Sequence, residues 1–228
     1  MHSLNIPQTP REVHIPFGDT WLYGDLVLPP VFQGLVIFVH GSCSGRDSAR
    51  CRQVAKHLQH AGITKPLLDL LTAQEEQTAL HKREQRFDTS LLTRRMQETT
   101  AWAVAQPELQ HAAIGYFGAS TGSAAALIAA GRLGDQIAAV VSRGDRPNLA
   151  GRVALAAVRA PNLLIVGGAD YEVIERNKQA HAHLRCEKSL VVVPGTTHLF
   201  EKTCALKQFA QLASSWFTAH LTSLQYTA

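Results

Sequence analysis

Ala113-Ile114-Gly115-Tyr116-Phe117-Gly118-Ala119-Ser120-Thr121-Gly122-Ser123-Ala124-Ala125-Ala126-Leu127-Ile128 is the stretch that decides the fold. Its first part is a short apolar run and reads as a buried strand, Ala113 to Gly118. Its last part opens an alanine-rich helix from Thr121 to about Arg132. Between them lies Gly118-Ala119-Ser120-Thr121-Gly122, a G-x-S-x-G pentapeptide in the strand–turn–helix context that this motif requires. Glycines on either side of Ser120 let neighbouring backbone pass closely, and the turn lifts the hydroxyl above the sheet at the positive end of a helix. The same five letters also describe a glycine-rich turn whose serine merely caps the helix. The strand before and the helix after favour a nucleophile.

Strands and helices alternate outward from this point. Glu12 to Pro16 and Trp21 to Leu28 read as an antiparallel hairpin closed at residues 17–20, and Gly34 to His40 as a strand buried on both faces. A helix is expected from about Ala49 to Ala61. Ile63 to Leu70 reads as a further buried strand, interrupted by Lys65 and Pro66. Residues 72–86, dense in Glu, Gln, Lys and Arg, are the candidate flap. Asp88 to Ala105 carries Leu92, Met96, Thr99 and Ala103 at helical spacing, with Pro107 beyond its end. Downstream, strands are expected at Ala138 to Ser142, Asn162 to Gly167 and Ser189 to Pro194. Helices are expected near Leu149 to Ala157, Val173 to Leu184 and Cys204 to Leu221, the last with Leu206, Phe209, Ala213, Trp216 and His220 on one stripe. The pattern predicts an α/β fold over residues 1–228: one domain, a mainly parallel central sheet with an N-terminal antiparallel hairpin, and helices on both faces.

Serine needs a base, usually a histidine held by a carboxylate, and in this strand–turn–helix setting the chain order is Ser, acid, His. Leu163 to Asp170 is an apolar run into a Gly-Gly turn that delivers Asp170 to the carboxyl edge of the sheet, although an aspartate there could equally cap the next helix. His198, in Pro194-Gly195-Thr196-Thr197-His198-Leu199-Phe200, is the histidine at a strand exit after Asp170. Ser120, Asp170 and His198 are therefore the expected catalytic set. The oxyanion is expected to be held by the amide of Thr121 and by one from His40-Gly41-Ser42-Cys43, that of Ser42 first and that of Cys43 second. Cys43 is expected to line the pocket and His40 to brace the loop.

The 228 residues suit one α/β domain. A hydrophobic share of 46% with 18% charged residues is an ordinary globular composition. Four cysteines (Cys43, Cys51, Cys186, Cys204) without a CxxC pair read as free thiols in a reducing compartment. The formal net charge is +4, but the Lys and Arg residues are dispersed and form no basic block, so nucleic acid is not an expected partner. Residues 1–10 do not read as a secretory signal, and no apolar run reaches bilayer length. A cytoplasmic monomer or homodimer without membrane attachment is expected. No HExxH, CxxC or P-loop is present, so neither a metal nor an organic cofactor is expected.

Taken together, HGS at 40–42, GYFGASTG at 115–122, SRG at 142–144, VGGAD at 166–170 and PGTTHLFE at 194–201 resemble the dienelactone hydrolase-like branch of the α/β-hydrolases. The likeness runs from the first hairpin to the last helix. It implies a compact, mostly lidless hydrolase acting on small esters or lactones. Dienelactone hydrolases proper carry cysteine at the elbow, whereas this chain has Ser120, which shifts the expectation towards carboxylesterase action on small acyl esters. Similar sequences often have glycine where Ser123 stands.

Arg46, Arg143 and Arg146 fall on expected loops at the active edge and are candidate clamps for a substrate carboxylate. Ion pairs with Asp47 and Asp145 are the competing reading. The same triad would also serve a thioesterase, lactonase or peptidase, and a non-catalytic ligand sensor on this fold is the alternative from another class.

Overall fold

The computed structural model describes residues 11–28, 34–39, 57–59, 63–64, 66–68, 70–71, 75 and 88–221. β3 (Gly34–Val39), β6 (Ala113–Ala119), β7 (Ile137–Arg143), β8 (Asn162–Gly167) and β9 (Lys188–Val193), with the short β4 (Ile63–Thr64), form a six-stranded sheet. Its order is β4-β3-β6-β7-β8-β9, and each neighbouring pair is parallel. The central strands are almost wholly buried, as expected of parallel strands covered on both faces. Alternate side chains serve two cores. Leu35, Ile37, Ile114 and Tyr116 join the core beneath α1 (Thr89–Ala105), α2 (Thr121–Leu133) and the hairpin. Val36, Phe38, Phe117 and Ala119 join the core beneath α5 (Thr203–His220). The two remaining helices are α3 (Gly151–Ala157) and α4 (Tyr171–His183).

β1 (Arg11–Phe17) and β2 (Thr20–Leu26) form the expected antiparallel hairpin, closed at Gly18 with φ 56°. The expected strand 63–70 is divided. Ile63–Thr64 continues the parallel sheet beside β3, whereas β5 (Pro66–Leu68) turns away and pairs antiparallel with β2. Proline has no N–H to donate and suits the first position of a strand or a ladder edge. The chain therefore leaves one sheet for another between Thr64 and Pro66. Of the expected helix 49–61, residues 57–59 are described and helical; of the candidate flap, Glu75 alone is described.

On α1 the expected stripe Leu92, Met96, Thr99 and Ala103 is buried, and Arg95 is buried with it. Arg95 meets Glu75 through both terminal nitrogens at 2.7 Å each, donates to the Leu70 carbonyl and lies over the Phe17 ring at 4.9 Å. On α5 the stripe is centred differently from the expectation. Phe217 is fully buried, while Trp216 and His220 are half-buried. Their polar tips reach outward, Trp216 Nε1 to the Pro161 carbonyl and His220 Nε2 to Glu187. Among the described residues no helix is long and apolar enough to cross a membrane.

Candidate active site

Ser120 follows β6 directly and opens α2 with φ 56° and ψ −126°, a conformation that side chains other than glycine rarely adopt. Its hydroxyl makes no cap hydrogen bond to α2, so the capping reading of this serine does not hold. The turn is tight because its glycines touch backbone. A Cβ on Gly122 would lie 2.4 Å from the Val39 carbonyl oxygen, and one on Gly118 2.7 Å from that of Gly122. The strained residue is tied down by its own main chain. Ser120 N–H donates to the Arg143 carbonyl (3.3 Å), and the Ser120 carbonyl accepts from Ser123 N–H (3.0 Å). The fully buried Ser123 hydroxyl reaches two carbonyls, of Gly118 (3.1 Å) and Arg143 (3.3 Å).

Asp170 leaves β8 and His198 leaves β9, each at the carboxyl end of its strand, the same edge as Ser120. The two loops are joined through backbone: Gly168 N–H to the Val193 carbonyl (2.8 Å) and Ala169 N–H to that of Thr196 (3.0 Å). Gly167 is required here, since a Cβ would stand 2.4 Å from the Thr197 carbonyl. Asp170 sits at the N-cap of α4 yet makes no cap bond to it. One carboxylate oxygen, Oδ2, instead accepts from His198 N–H (2.5 Å) and lies 2.7 Å from His198 Nδ1. The His198 backbone N–H bond holds the Asp170 carboxyl below the usual carboxylate range, aided by the imidazole bond and charge, while burial works the other way.

The sheet thus brings Asp170 and His198 into contact and places Ser120 at the same edge. Thr121 is the first residue of α2, where a helical N–H has no intrahelical partner. Its buried Oγ1 has no partner among the described residues. Arg143 ends β7 in register with Ala119, beside the elbow. Arg146 lies in the next loop, its Nε 3.6 Å from Asp145, which also meets Arg176 at 3.4 Å. That pairing is the one the competing reading named for Arg146. Asn177 donates to the Gly144 carbonyl and anchors this loop to α4 (3.0 Å). His40, Ser42, Cys43 and Arg46 lie outside the described residues. Among the described residues no group of three or more His, Cys, Asp or Glu side chains gathers as a metal site.

The sequence reading missed the Ser123 bridge and the left-handed backbone of Phe200, φ 52°, two residues past His198. Serine in place of the usual glycine at 123 was the visible sign of the first. The second left no sign, because phenylalanine is not a residue that local preference puts at positive φ.

No family model matches the chain. Among solved structures, a dienelactone hydrolase from Anabaena variabilis is 48% identical, with TM-score 0.88, over 93% of this chain and 98% of that one. A dienelactone hydrolase-like promiscuous phosphotriesterase from metagenomic libraries shares the fold at 17% identity and TM-score 0.73, over 95% of this chain and 99% of that one. So does a cold-adapted esterase from an Arctic intertidal metagenomic library, at 16% identity and TM-score 0.73, over 97% and 100%. Two curated Mycobacterium tuberculosis proteins, from strains CDC 1551 and H37Rv, are each 46% identical over 215 residues, 94% of this chain. Both carry the provisional name phosphoribosyl transferase, and this chain spans about half of their length, 47%.

Proposed function

The chain belongs to the dienelactone hydrolase-like family of the α/β-hydrolases, and on that footing we propose that it is a serine hydrolase cleaving small carboxylic esters through an acyl-enzyme on Ser120. The observation that carries this reading is the Asp170–His198 contact. The carboxylate forgoes the helix it could cap and instead holds an imidazole on the edge where the strained Ser120 emerges.

In the proposed cycle, Ser120 attacks the ester carbonyl carbon as His198 Nε2 takes the hydroxyl proton. Asp170 accepts the Nδ1 hydrogen, which fixes the tautomer, and its charge stabilises the imidazolium. The amides of Thr121 and Ser42 hold the developing oxyanion. Collapse expels the alcohol with the proton from His198, and water then repeats the steps on the acyl-enzyme. The chemistry asks for no metal or organic cofactor. Cys43 lines the pocket in this reading. Arg46 and Arg143 are kept as clamps for an anionic acyl group, while Arg146 is the weaker candidate because Asp145 already faces it. The name phosphoribosyl transferase belongs to curated relatives of which this chain spans 47%, and it is not carried over to this chain.

Hydrolysis of p-nitrophenyl acetate by the wild type and by Ser120→Ala tests the reading. A folded mutant should lose at least about 10³-fold in kcat. Equal rates would remove Ser120 as nucleophile. Matched ester, lactone, thioester and amide substrates then rank the leaving groups, with the ester or lactone expected to be fastest.

A further inference from the structure

Among the described residues two side chains other than hydrogen sit on left-handed backbone: Ser120, φ 56°, and Phe200, φ 52°. For a bulky aromatic this conformation is disfavoured and persists only where the surroundings over-determine it. Phe200 N–H donates to the Thr197 carbonyl (3.1 Å), closing a tight turn whose two middle residues are His198 and Leu199. The turn divides its side chains. His198 and Leu199 remain partly exposed, while Phe200 is fully buried.

The buried ring opens a series of aromatic contacts beneath the active edge. Phe200 lies 5.2 Å from Phe209 on α5, Phe209 meets Phe117 edge-on at 5.8 Å, and Phe117 stacks on Phe38 at 4.6 Å. Phe117 is three residues before Ser120 on β6, and Phe38 is near the end of β3. The series therefore joins the loop of the base to the strand of the nucleophile. Such a tie is needed, because both bonds between His198 and Asp170 end on the same oxygen, Oδ2. Two donors converging on one atom fix a distance but leave the residue free to pivot about that atom.

We propose that Phe200 is a positioning residue for His198, its ring anchoring the 197–200 turn so that the imidazole cannot swing about Asp170 Oδ2 away from Ser120. The inference rests on the triad reading above. It predicts that loosening this anchor impairs turnover and not substrate binding, since the ring lies beneath the site and touches no substrate.

Phe200→Leu, Phe209→Leu and Phe217→Leu are compared with the wild type on p-nitrophenyl acetate, together with the imidazole Nδ1–H proton resonance of histidine-labelled protein. Phe217 is as buried as Phe200 and lies on the same helix as Phe209, where it packs near Gly115, and it serves as the control for general loosening of this core. Phe200→Leu should lose about 10- to 100-fold in kcat with KM within about twofold, the scale expected for misplacing a reacting group by an ångström. Its Nδ1–H resonance should broaden or vanish. Phe209→Leu should move both readouts the same way by less, and it carries the test if Phe200→Leu fails to fold. Phe217→Leu should stay near wild type in both. Wild-type kcat and an unchanged resonance in Phe200→Leu would overturn the proposal, as would an equal loss in Phe217→Leu. His198→Ala separates the two failures: if it is inactive while Phe200→Leu is normal, the triad stands and the anchor falls, whereas a fully active His198→Ala removes both.

Discussion

At Ser120 and Asp170 the chain gives up two helix caps, each ordinarily worth about 1 kcal/mol, and puts the freed groups on one edge of the sheet. That cost is tolerated because the surrounding backbone fixes both residues from outside their helices. Gly122 makes this testable. Its missing Cβ accommodates Val39, so Gly122→Ala should lower stability by about 1–3 kcal/mol in urea denaturation and reduce kcat with it. Removal of the Ser123 hydroxyl in Ser123→Ala should cost about 1 kcal/mol by the same measurement, since the shared hydrogen bond to the Gly118 and Arg143 carbonyls is lost. Asp170 carries a pH signature. Because its carboxyl is held below the ordinary value, the Asp170–His198 contact contributes stability that is complete above about pH 4 and disappears as pH falls through the lowered value. The Tm gap between wild type and Asp170→Ala should therefore narrow as pH falls below about pH 4; a gap that widened in that range would contradict that assignment. The meeting of Asp170 with His198 on the edge where Ser120 emerges was legible from chain order and strand exits. Phe200 was not, because phenylalanine is not a residue that local preference puts at positive φ, and its ring contact with Phe209 of α5 is visible only in the fold.

Among the elements, the continuous apolar strands were the clearest in the sequence, because burial on both faces leaves a run with no polar interruption. The segment 63–70 was misread as one strand for the same reason: its apolar letters say nothing about which sheet each half joins, and only the partners of Pro66–Leu68 decide it. Helix α5 shows the limit of periodicity. Trp216 and His220 fit the stripe but turn polar atoms to a carbonyl and a carboxylate at its margin, and Phe217 takes the interior place. Arg95 on α1 was unreadable as a core residue until its partners were seen. Its charge is buried against Glu75, which is itself about one-third exposed at 35%. Glu75→Ala should therefore destabilise the fold by about 2–3 kcal/mol in urea denaturation, towards the low end for breaking a buried ion pair. A neutral result would mean that the Leu70 carbonyl and the Phe17 ring satisfy the guanidinium alone.

For the whole molecule, one sheet edge gathers Ser120, Asp170 and His198 from beyond the carboxyl ends of β6, β8 and β9. Likeness to an Anabaena variabilis dienelactone hydrolase over nearly the whole of both chains fixes the family, while the chain spans about half the length of its mycobacterial relatives. Substrate identity was not legible in the sequence, since a hydrolase fold does not specify the leaving group. A mechanism carried by side chains and amides alone predicts that exhaustive dialysis against EDTA leaves the ester hydrolysis rate within about twofold of its starting value; a loss restored by a divalent cation would require a different mechanism.

The central claim is that Ser120 is a nucleophile activated by His198 and Asp170. It is tested most directly by reacting the protein with a fluorophosphonate and locating the adduct by intact-mass and peptide mass spectrometry. The account predicts one adduct per chain, on Ser120, formed far more slowly in His198→Ala and in Asp170→Ala. No adduct, an adduct on Cys43 or another residue, or labelling at an undiminished rate without His198 would contradict it.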